Sequence, residues 1–402
     1  MDSQERGTAT AVRQPEPFEI AISQADLDDL HHRLSHTRWI NELGKDSWDY
    51  GLSVSYMREL VSYWLHEFDW RAQEAAINRF PHYLADVDGH RVHFIHERGK
   101  GPDPLPLVLT HGFPDSFLRF AKVIPMLADP ASYGGNSADA FDVIVPSLPG
   151  YAYSDRGASG PTLFEVAGVW HRLLSDVLGY ERYAAHGGDW GSFVTEMLAR
   201  DHSAAVRGIH LTDVPFYHAM RPPHGDLSHG ERKYLKSIET FPQSEGAYAL
   251  IQGVQPQALA LGLNDSPAGL AAWIIEKYRR WSDCDGDVEQ SFSRDELLSN
   301  VMIYWSTQSI NRAFGPYSDI AHAGGTEWAK QWLKQAVGSS DVPAGFAMFP
   351  KDLTNPPREW AERFFNVRRW TEMPRGGHFA ALEEPELLVN EIRAFFRPLR
   401  GG

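Results

Sequence analysis

The chain predicts an α/β protein: a mostly parallel, doubly wound sheet, preceded by a helical segment and interrupted late in the chain by another. Three observations predict it. Short apolar runs such as Leu105 to Leu109 and Asp142 to Val145 suit strands buried on both faces, and helical patterns alternate with them. Roughly the first 80 residues read as helices without strands. The stretch 212–345 reads as helices and loops, too long for an ordinary connection between strands.

In chain order, MDSQERGTATAVRQPEP is polar, so residues 1–16 are expected to be a disordered tail. It lacks the apolar centre of a signal peptide, and no run approaches the roughly 18 apolar residues of a membrane span, so no membrane anchor is expected. Ser23 and Asp26 have capping-box spacing, and Leu27, Leu30 and Leu34 follow at helical intervals, which predicts a helix over 24–35. Met57, Leu60, Val61, Trp64 and Phe68 mark one face of a second helix starting near Val54. Residues 17–80 are therefore read as an N-terminal helical extension. Tyr83 to Val87 and Arg91 to Glu97, joined by Asp88-Gly89, form a hairpin signal. Beyond Asp142 to Val145 come a helix over Leu163 to Leu178, a strand over Tyr183 to His186, a helix over Phe193 to Arg200 and a strand over Val206 to Leu211. The sheet resumes with Phe346 to Phe349 and Val367 to Thr371, and a helix near Pro385 to Phe396 closes the chain. Residues 81–214 and 340–402 thus form the expected core, and 215–339 an inserted helical cap.

Of the 402 residues, 23% are charged and 43% hydrophobic, with 13 Trp, 15 Tyr and 21 Phe, as in a soluble globular protein. The aromatic richness fits an apolar cavity or simply a large aromatic core. A formal charge of −15 argues against nucleic acid and anionic membranes as partners and favours neutral or cationic ligands. The lone cysteine, Cys284, excludes an internal disulfide and a Cys-rich metal site, fits a reducing cytoplasm, and has no neighbours that would activate it.

The chemistry concentrates at Gly187-Gly188-Asp189-Trp190-Gly191, which follows a predicted strand and precedes a helix. That is the plan of a nucleophile elbow, in which small residues flank a side chain forced out of a sharp turn, and it makes the fold an α/β-hydrolase. Asp189 stands where an esterase has serine. A carboxylate is suited to displacement at saturated carbon, leaving an ester whose acyl half is the enzyme's, so epoxides and alkyl halides are the expected targets. An aspartate here could alternatively serve only as the N-cap of the following helix. His111-Gly112-Phe113-Pro114 follows the run Leu105 to Leu109, where the backbone N–H of Phe113 could join that of Trp190 in an oxyanion hole. His378, in Arg375-Gly376-Gly377-His378-Phe379, comes last in the order nucleophile, acid, histidine, on a glycine-flanked loop free enough to act as a base. Asp352, on the loop after Phe346 to Phe349, is the expected acid that orients it. Glu359 and Glu362 are expected on the next helix, and Glu372 and Glu384 remain alternatives.

These motifs, with Phe18 to Trp39, Trp48-Asp49-Tyr50-Gly51 and Pro149-Gly150-Tyr151, resemble the microsomal-type epoxide hydrolases and their soluble fungal and bacterial relatives over almost the whole chain. The resemblance implies two cap tyrosines that donate hydrogen bonds to the epoxide oxygen. Tyr248 and Tyr317 match those positions best, with Tyr304 a competitor for the second. Trp190, Phe113 and Tyr304 are the expected substrate contacts. Relatives commonly carry Trp and Gly where this chain has Phe113 and Asp115, which puts substrate shape in doubt while leaving a backbone oxyanion hole intact. No metal or organic cofactor is implied. The implied partner is a hydrophobic epoxide, in detoxification or natural-product tailoring, and a homodimer is the ordinary expectation. A haloalkane-type dehalogenase and a non-catalytic binder of small molecules are the competing readings.

Overall fold

The computed structural model describes residues 14–45, 47–156, 160–220, 225–323 and 340–401. Among these residues nine strands make one mixed sheet: β1 (Glu16–Phe18), β2 (His82–Val87), β3 (His90–Glu97), β4 (Leu105–Thr110), β5 (Phe141–Pro146), β6 (Tyr183–Gly187), β7 (Val206–Leu211), β8 (Ser340–Met348) and β9 (Phe365–Glu372). Their order across the sheet is β1-β2-β3-β5-β4-β6-β7-β8-β9. The first three pairings are antiparallel and the remaining ones parallel. All residues of β5 and β6 are buried, as expected of central strands covered by helices on both sides. The β2–β3 hairpin turns on Asp88 and Gly89, both at positive φ, as a tight two-residue turn requires.

The chain leaves β4 to one side for β5 and returns across it to form β6 on the other. The carboxyl ends of β4 and β6 therefore flank the switch point where α/β sheets open a crevice. The His111 turn leaves β4 there, and Asp189 leaves β6.

The expected helices in the N-terminal segment are present as Gln24–Ser35 and Val54–His66, with a third at Trp70–Ile77. Ser23 caps the first, accepting the Asp26 N–H at 3.1 Å. These helices also brace the segment between β7 and β8. Tyr63 and Gln73 donate to the two oxygens of Asp295 at 2.8 and 3.1 Å, and Arg33 pairs with Asp265 at 2.8 Å.

The expectation of a lead-in without strands is wrong at its start. Glu16–Phe18 forms the edge strand β1, paired to β2 with Phe18 opposite His82. So short a strand has no periodicity of its own; it exists because a distant edge offers it hydrogen bonds, and because the Phe18 ring packs on His93 and Tyr153 at 5.5 and 5.0 Å. The expected tail therefore ends before Glu16, and its residues 1–13 lie outside the described ones. β8 begins at Ser340 rather than Phe346, and the helix after the elbow begins at Trp190 rather than Phe193. The helix read over 163–178 is a 3₁₀ turn, an α-helix Val166–Arg172 and a π-helical turn Leu173–Val177.

Between β7 and β8 the described residues are mostly helical, with His229–Ser244, Ala247–Val254, Pro256–Asp265, Pro267–Trp281, Arg294–Thr307 and Gly315–Ala323 the longer elements. Residues 221–224 and 324–339 of the expected cap lie outside the description. Among the described residues no single helix is long and apolar enough to cross a membrane. The bent pair Pro256–Asp265 and Pro267–Trp281 meets that test jointly, but most of its longer member is buried in the protein.

Backbone proximity at the switch point yields a prediction. A Cβ on Gly191 would lie 1.9 Å from the Thr110 carbonyl oxygen at the end of β4. Gly191→Ala is expected to destabilise the fold by about 1–3 kcal/mol or more, read from the urea midpoint at unchanged slope.

Candidate active site

Asp189 sits at φ 57° and ψ −129°, a conformation that costs a non-glycine residue energy and turns the side chain out of the strand-to-helix path. It occupies the N-cap position of the helix Trp190–Asp201 without capping it. Its carboxylate lines a cavity, and Oδ1 accepts the Phe113 N–H at 2.8 Å. Gly112 permits this approach, since a Cβ there would lie 2.0 Å from that same oxygen. Trp190 opens the helix, so its N–H belongs to the first turn, which has no partner within the helix.

The His378 ring is buried, with Nδ1 2.7 Å from Asp352 Oδ1 and Nε2 3.5 Å from Asp189 Oδ2. Burial alone would lower its pKa, but the Asp352 carboxylate and then Asp189 outweigh burial and lift it to about 10. Glu359, Glu362 and Glu372 are exposed, and Glu384 pairs with Arg375 at 2.6 Å.

One expectation about the loop needs correction. Its glycines do not leave the histidine free. The N–H groups of Gly376, His378 and Phe379 donate to Asp283 Oδ2, the Trp281 carbonyl and Glu383 Oε1 at 2.9, 2.7 and 2.8 Å. Gly377 N–H reaches Glu383 Oε2 at 3.0 Å, and the His378 carbonyl accepts Arg119 at 2.5 Å. Gly377 serves close packing instead, since a Cβ would come 2.6 Å from the Trp281 carbonyl.

Tyr248 and Tyr317 line the same cavity with their rings 5.7 Å apart, and Trp190 packs edge-on to Tyr317 at 4.7 Å. Burial first, then the neighbouring charge of Asp189 for Tyr248 and the partner phenol for Tyr317, raise both above the ordinary range. Both therefore stay protonated at neutral pH. The Tyr317 hydroxyl is buried beside the Tyr248 phenol, and the two side chains interact.

Two expected substrate contacts lie elsewhere. Tyr304 does not line the cavity; its hydroxyl donates to the Asp115 carbonyl at 2.7 Å in the buried interior. The Phe113 ring is fully buried behind the tyrosines, 6.3 Å from Tyr248 and 5.6 Å from Tyr317, so the residue meets the cavity edge through its N–H. Trp190 does line the cavity. Asp115 does not shape it either: its side chain is fully buried, bound to Gly112 N–H at 2.9 Å and to Arg119. Cys284 is buried with its thiol on the Arg279 carbonyl, away from the site.

The cavity has a volume of about 440 Å³, apolar walls including Phe193, Phe216 and Ile320, and exposed Met220, Leu250 and Val254 along its lining. Its polar groups converge near Asp189, the pattern of a small-molecule site.

Two acidic residues at this site escaped the sequence reading. Asp213 lines the cavity and accepts the Asp189 N–H at 3.1 Å and the Ser192 hydroxyl at 2.9 Å. Burial, then repulsion from Asp352, raises it to about 7. Its signal was its place directly after β7, as Asp189 follows β6. Glu383 holds the histidine loop, and burial raises it to about 7. Nothing local in its sequence marks it.

Asp213 and His378 both bind protons more tightly in the folded state, so both predict stability lost as pH rises, in successive windows. The raised histidine favours the folded state fully below its unfolded pKa of about 6.5, and that contribution disappears as pH rises through about 10. Asp352→Asn removes the main support, so the Tm gap between the wild type and this variant should narrow from about pH 7 towards pH 10. Asp213 binds its proton more tightly folded than unfolded, where its pKa is about 3.9, so its ionisation destabilises the fold as pH rises towards about 7. Asp213→Asn should therefore gain Tm on the wild type between about pH 4 and 7 and hold that gain above, and a gap constant across this window would contradict this.

The chain is similar to known proteins over nearly its whole length. Residues 15–120 match the family described as epoxide hydrolase N terminus, and residues 106–247 match the alpha/beta hydrolase fold. A protein named "Putative epoxide hydrolase" from Stigmatella aurantiaca is 40% identical over 96% of this chain and 85% of its own length. Epoxide hydrolase 1 of Oryctolagus cuniculus is 34% identical over 94% of this chain and 88% of its own. The structure of Aspergillus niger epoxide hydrolase superimposes with a TM-score of 0.82 at 31% identity, covering 97% of each chain. With relatives 34–40% identical over at least 94% of its length, the chain belongs to the epoxide hydrolase family of the α/β-hydrolase fold.

Proposed function

We propose that the protein hydrolyses a hydrophobic epoxide to a vicinal diol through an ester on Asp189. The observation that carries this reading is the Asp189 carboxylate, turned into an apolar cavity with Phe113 N–H on Oδ1 and His378 beside Oδ2. Oδ2 attacks a ring carbon, the carbon–oxygen bond breaks, and the departing oxygen takes a proton from the Tyr248 and Tyr317 pair. Esterification removes the negative charge that helped hold His378 protonated. The imidazolium then releases its proton to solvent, which restores the tyrosine. Neutral His378, oriented by Asp352, takes a proton from water as the water oxygen attacks Cγ of Asp189. Charge develops on Oδ1, which already rests on the Phe113 amide, with Trp190 as the second donor. Collapse expels the diol oxygen, which takes the proton from His378, and the Asp189 carboxyl left behind passes its own proton to His378, restoring the resting pair.

On this reading residues 17–80 brace the enzyme, 215–339 form a lid and 81–214 with 340–402 form the catalytic core. The same proposal places the enzyme in the cytoplasm as a homodimer, the latter checked by light scattering. Its support is the single buried cysteine and the negative net charge for location, and the ordinary frequency of dimers for assembly.

In a single turnover with excess enzyme in H₂¹⁸O, label should enter the side chain of Asp189. Label confined to the diol would exclude the ester, and chloride release from haloalkanes without diol formation would make the protein a dehalogenase. Asp189→Ala should lower kcat by at least about three orders of magnitude. Tyr248→Phe and Tyr317→Phe together should slow ester formation by about 10²- to 10⁴-fold, with each single change milder. Rapid-quench measurement of the ester checks this.

A further inference from the structure

We propose that Asp115 and Arg119 form a positioning pair that registers the histidine loop against the oxyanion turn and thereby sets the rate of ester hydrolysis. This inference rests on the covalent reading above. Both side chains are deeply buried, Asp115 at 0% and Arg119 at 2% exposure. Asp115 uses one oxygen to hold the Gly112 N–H at 2.9 Å, immediately before Phe113, and the other to pair with Arg119. Arg119 carries the connection onward: its second terminal nitrogen donates to the carbonyl of His378 at 2.5 Å. One guanidinium thus joins the peptide beside the Oδ1 donor to the peptide of the base.

A buried ion pair is a poor source of stability, because desolvation of two ions offsets their attraction. Its effect here is geometric. Other bonds of the histidine loop run to Trp281, Asp283 and Glu383, and the Gly376 carbonyl accepts the Lys351 N–H at 3.1 Å. Those fix the loop to the cap, to its own continuation and to the loop after β8. Arg119 fixes it to the turn that receives charge during hydrolysis. Tyr304, Asn300 and Ser116 reinforce the turn: Tyr304 donates to the Asp115 carbonyl at 2.7 Å, Asn300 to the Pro114 carbonyl at 2.8 Å, and Ser116 to Asn300 at 2.9 Å.

The pair also acts through charge. His378 is faced by Asp189 from the elbow, Asp352 from the loop after β8, Asp213 from the loop after β7, and Arg119 from the turn after β4; Glu383 and Asp283 brace its loop. Arg119 is the cation in this set and works against the carboxylates, lowering the proton affinity of His378. The geometric and electrostatic effects both favour the hydrolytic step, in which His378 must be neutral and aligned with water. Ring opening does not require His378 to be neutral or aligned with water.

The test measures ester formation and ester breakdown separately, by rapid-quench single turnovers with styrene oxide, for wild type, Arg119→Met, Arg119→Lys and Asp115→Asn. Arg119→Met should slow breakdown by roughly 10²-fold, the cost of about 1 Å of misplacement, while changing formation by less than about threefold. The ester then accumulates, and the pH at which breakdown is half-maximal moves upward because the opposing cation is gone. Arg119→Lys should restore that pH without restoring the full rate. Asp115→Asn combined with Arg119→Met should be no slower than Arg119→Met alone, as expected of two residues acting as a unit. Should Arg119→Met fail to fold, the lysine and Asp115→Asn variants decide: slowed breakdown with unchanged formation supports the pair. Equal slowing of both steps, or an unmoved pH profile in every charge-removing variant that folds, overturns it. If the wild type itself forms no ester, the covalent reading fails and the inference falls with it; an ester in wild type with unaltered partition in the variants overturns the inference alone.

Discussion

Three carboxylates, Asp189, Asp213 and Asp352, surround one buried imidazole, and the interior cannot hold that much negative charge unless each group has a partner. His378 answers two of them, at 2.7 Å from Asp352 and 3.5 Å from Asp189. Backbone N–H groups answer the rest: Phe113 holds Asp189, and the Asp189 amide holds Asp213. Arg119, itself bound to Asp115, adds a second buried cation. The site's chemistry follows from this balance. A histidine lifted by anions is a poor base until one of them is neutralised, and in the proposed mechanism esterification of Asp189 neutralises it.

The balance depends on backbones meeting at close range. The turn after β4 and the elbow after β6 approach so tightly that Gly112 and Gly191 have no room for a Cβ. The switch in strand order brings these two carboxyl ends side by side. The helices between β7 and β8 then supply what the sheet cannot, a low-dielectric roof carrying two protonated phenols. The N-terminal helices secure that roof through Asp265 and Asp295. The end of one roof helix also reaches the base directly, because the Trp281 carbonyl receives the His378 N–H.

Much of this was legible along the chain because it is local. The elbow is a strand, a run of small residues and a helix, all contiguous, and such features are written in adjacent residues. The capping of Ser23, the Asp88-Gly89 turn and the buried runs of β4 to β7 are of the same kind. What escaped was pairing at a distance. The strand at Glu16 exists only because β2 has an open edge, and Asp213 matters only because Asp189 and Asp352 face it. Tyr304 looked like a substrate contact because it is a cap tyrosine near an aromatic neighbour; its hydroxyl turns out to be committed to the Asp115 carbonyl.

By itself the sequence determined the α/β-hydrolase class, the chain order of Asp189, Asp352 and His378, and the presence of a carboxylate instead of a hydroxyl at the elbow, since each is a matter of residue identity at a recognisable local turn. Only the tertiary structure decided how the histidine loop is held, which carboxylates share its field, and that Asp115 turns inward to Arg119 instead of towards the cavity. Those outcomes depend on distances between segments far apart in the chain, and on which buried charge finds which partner. Sequence spacing carries no such distance.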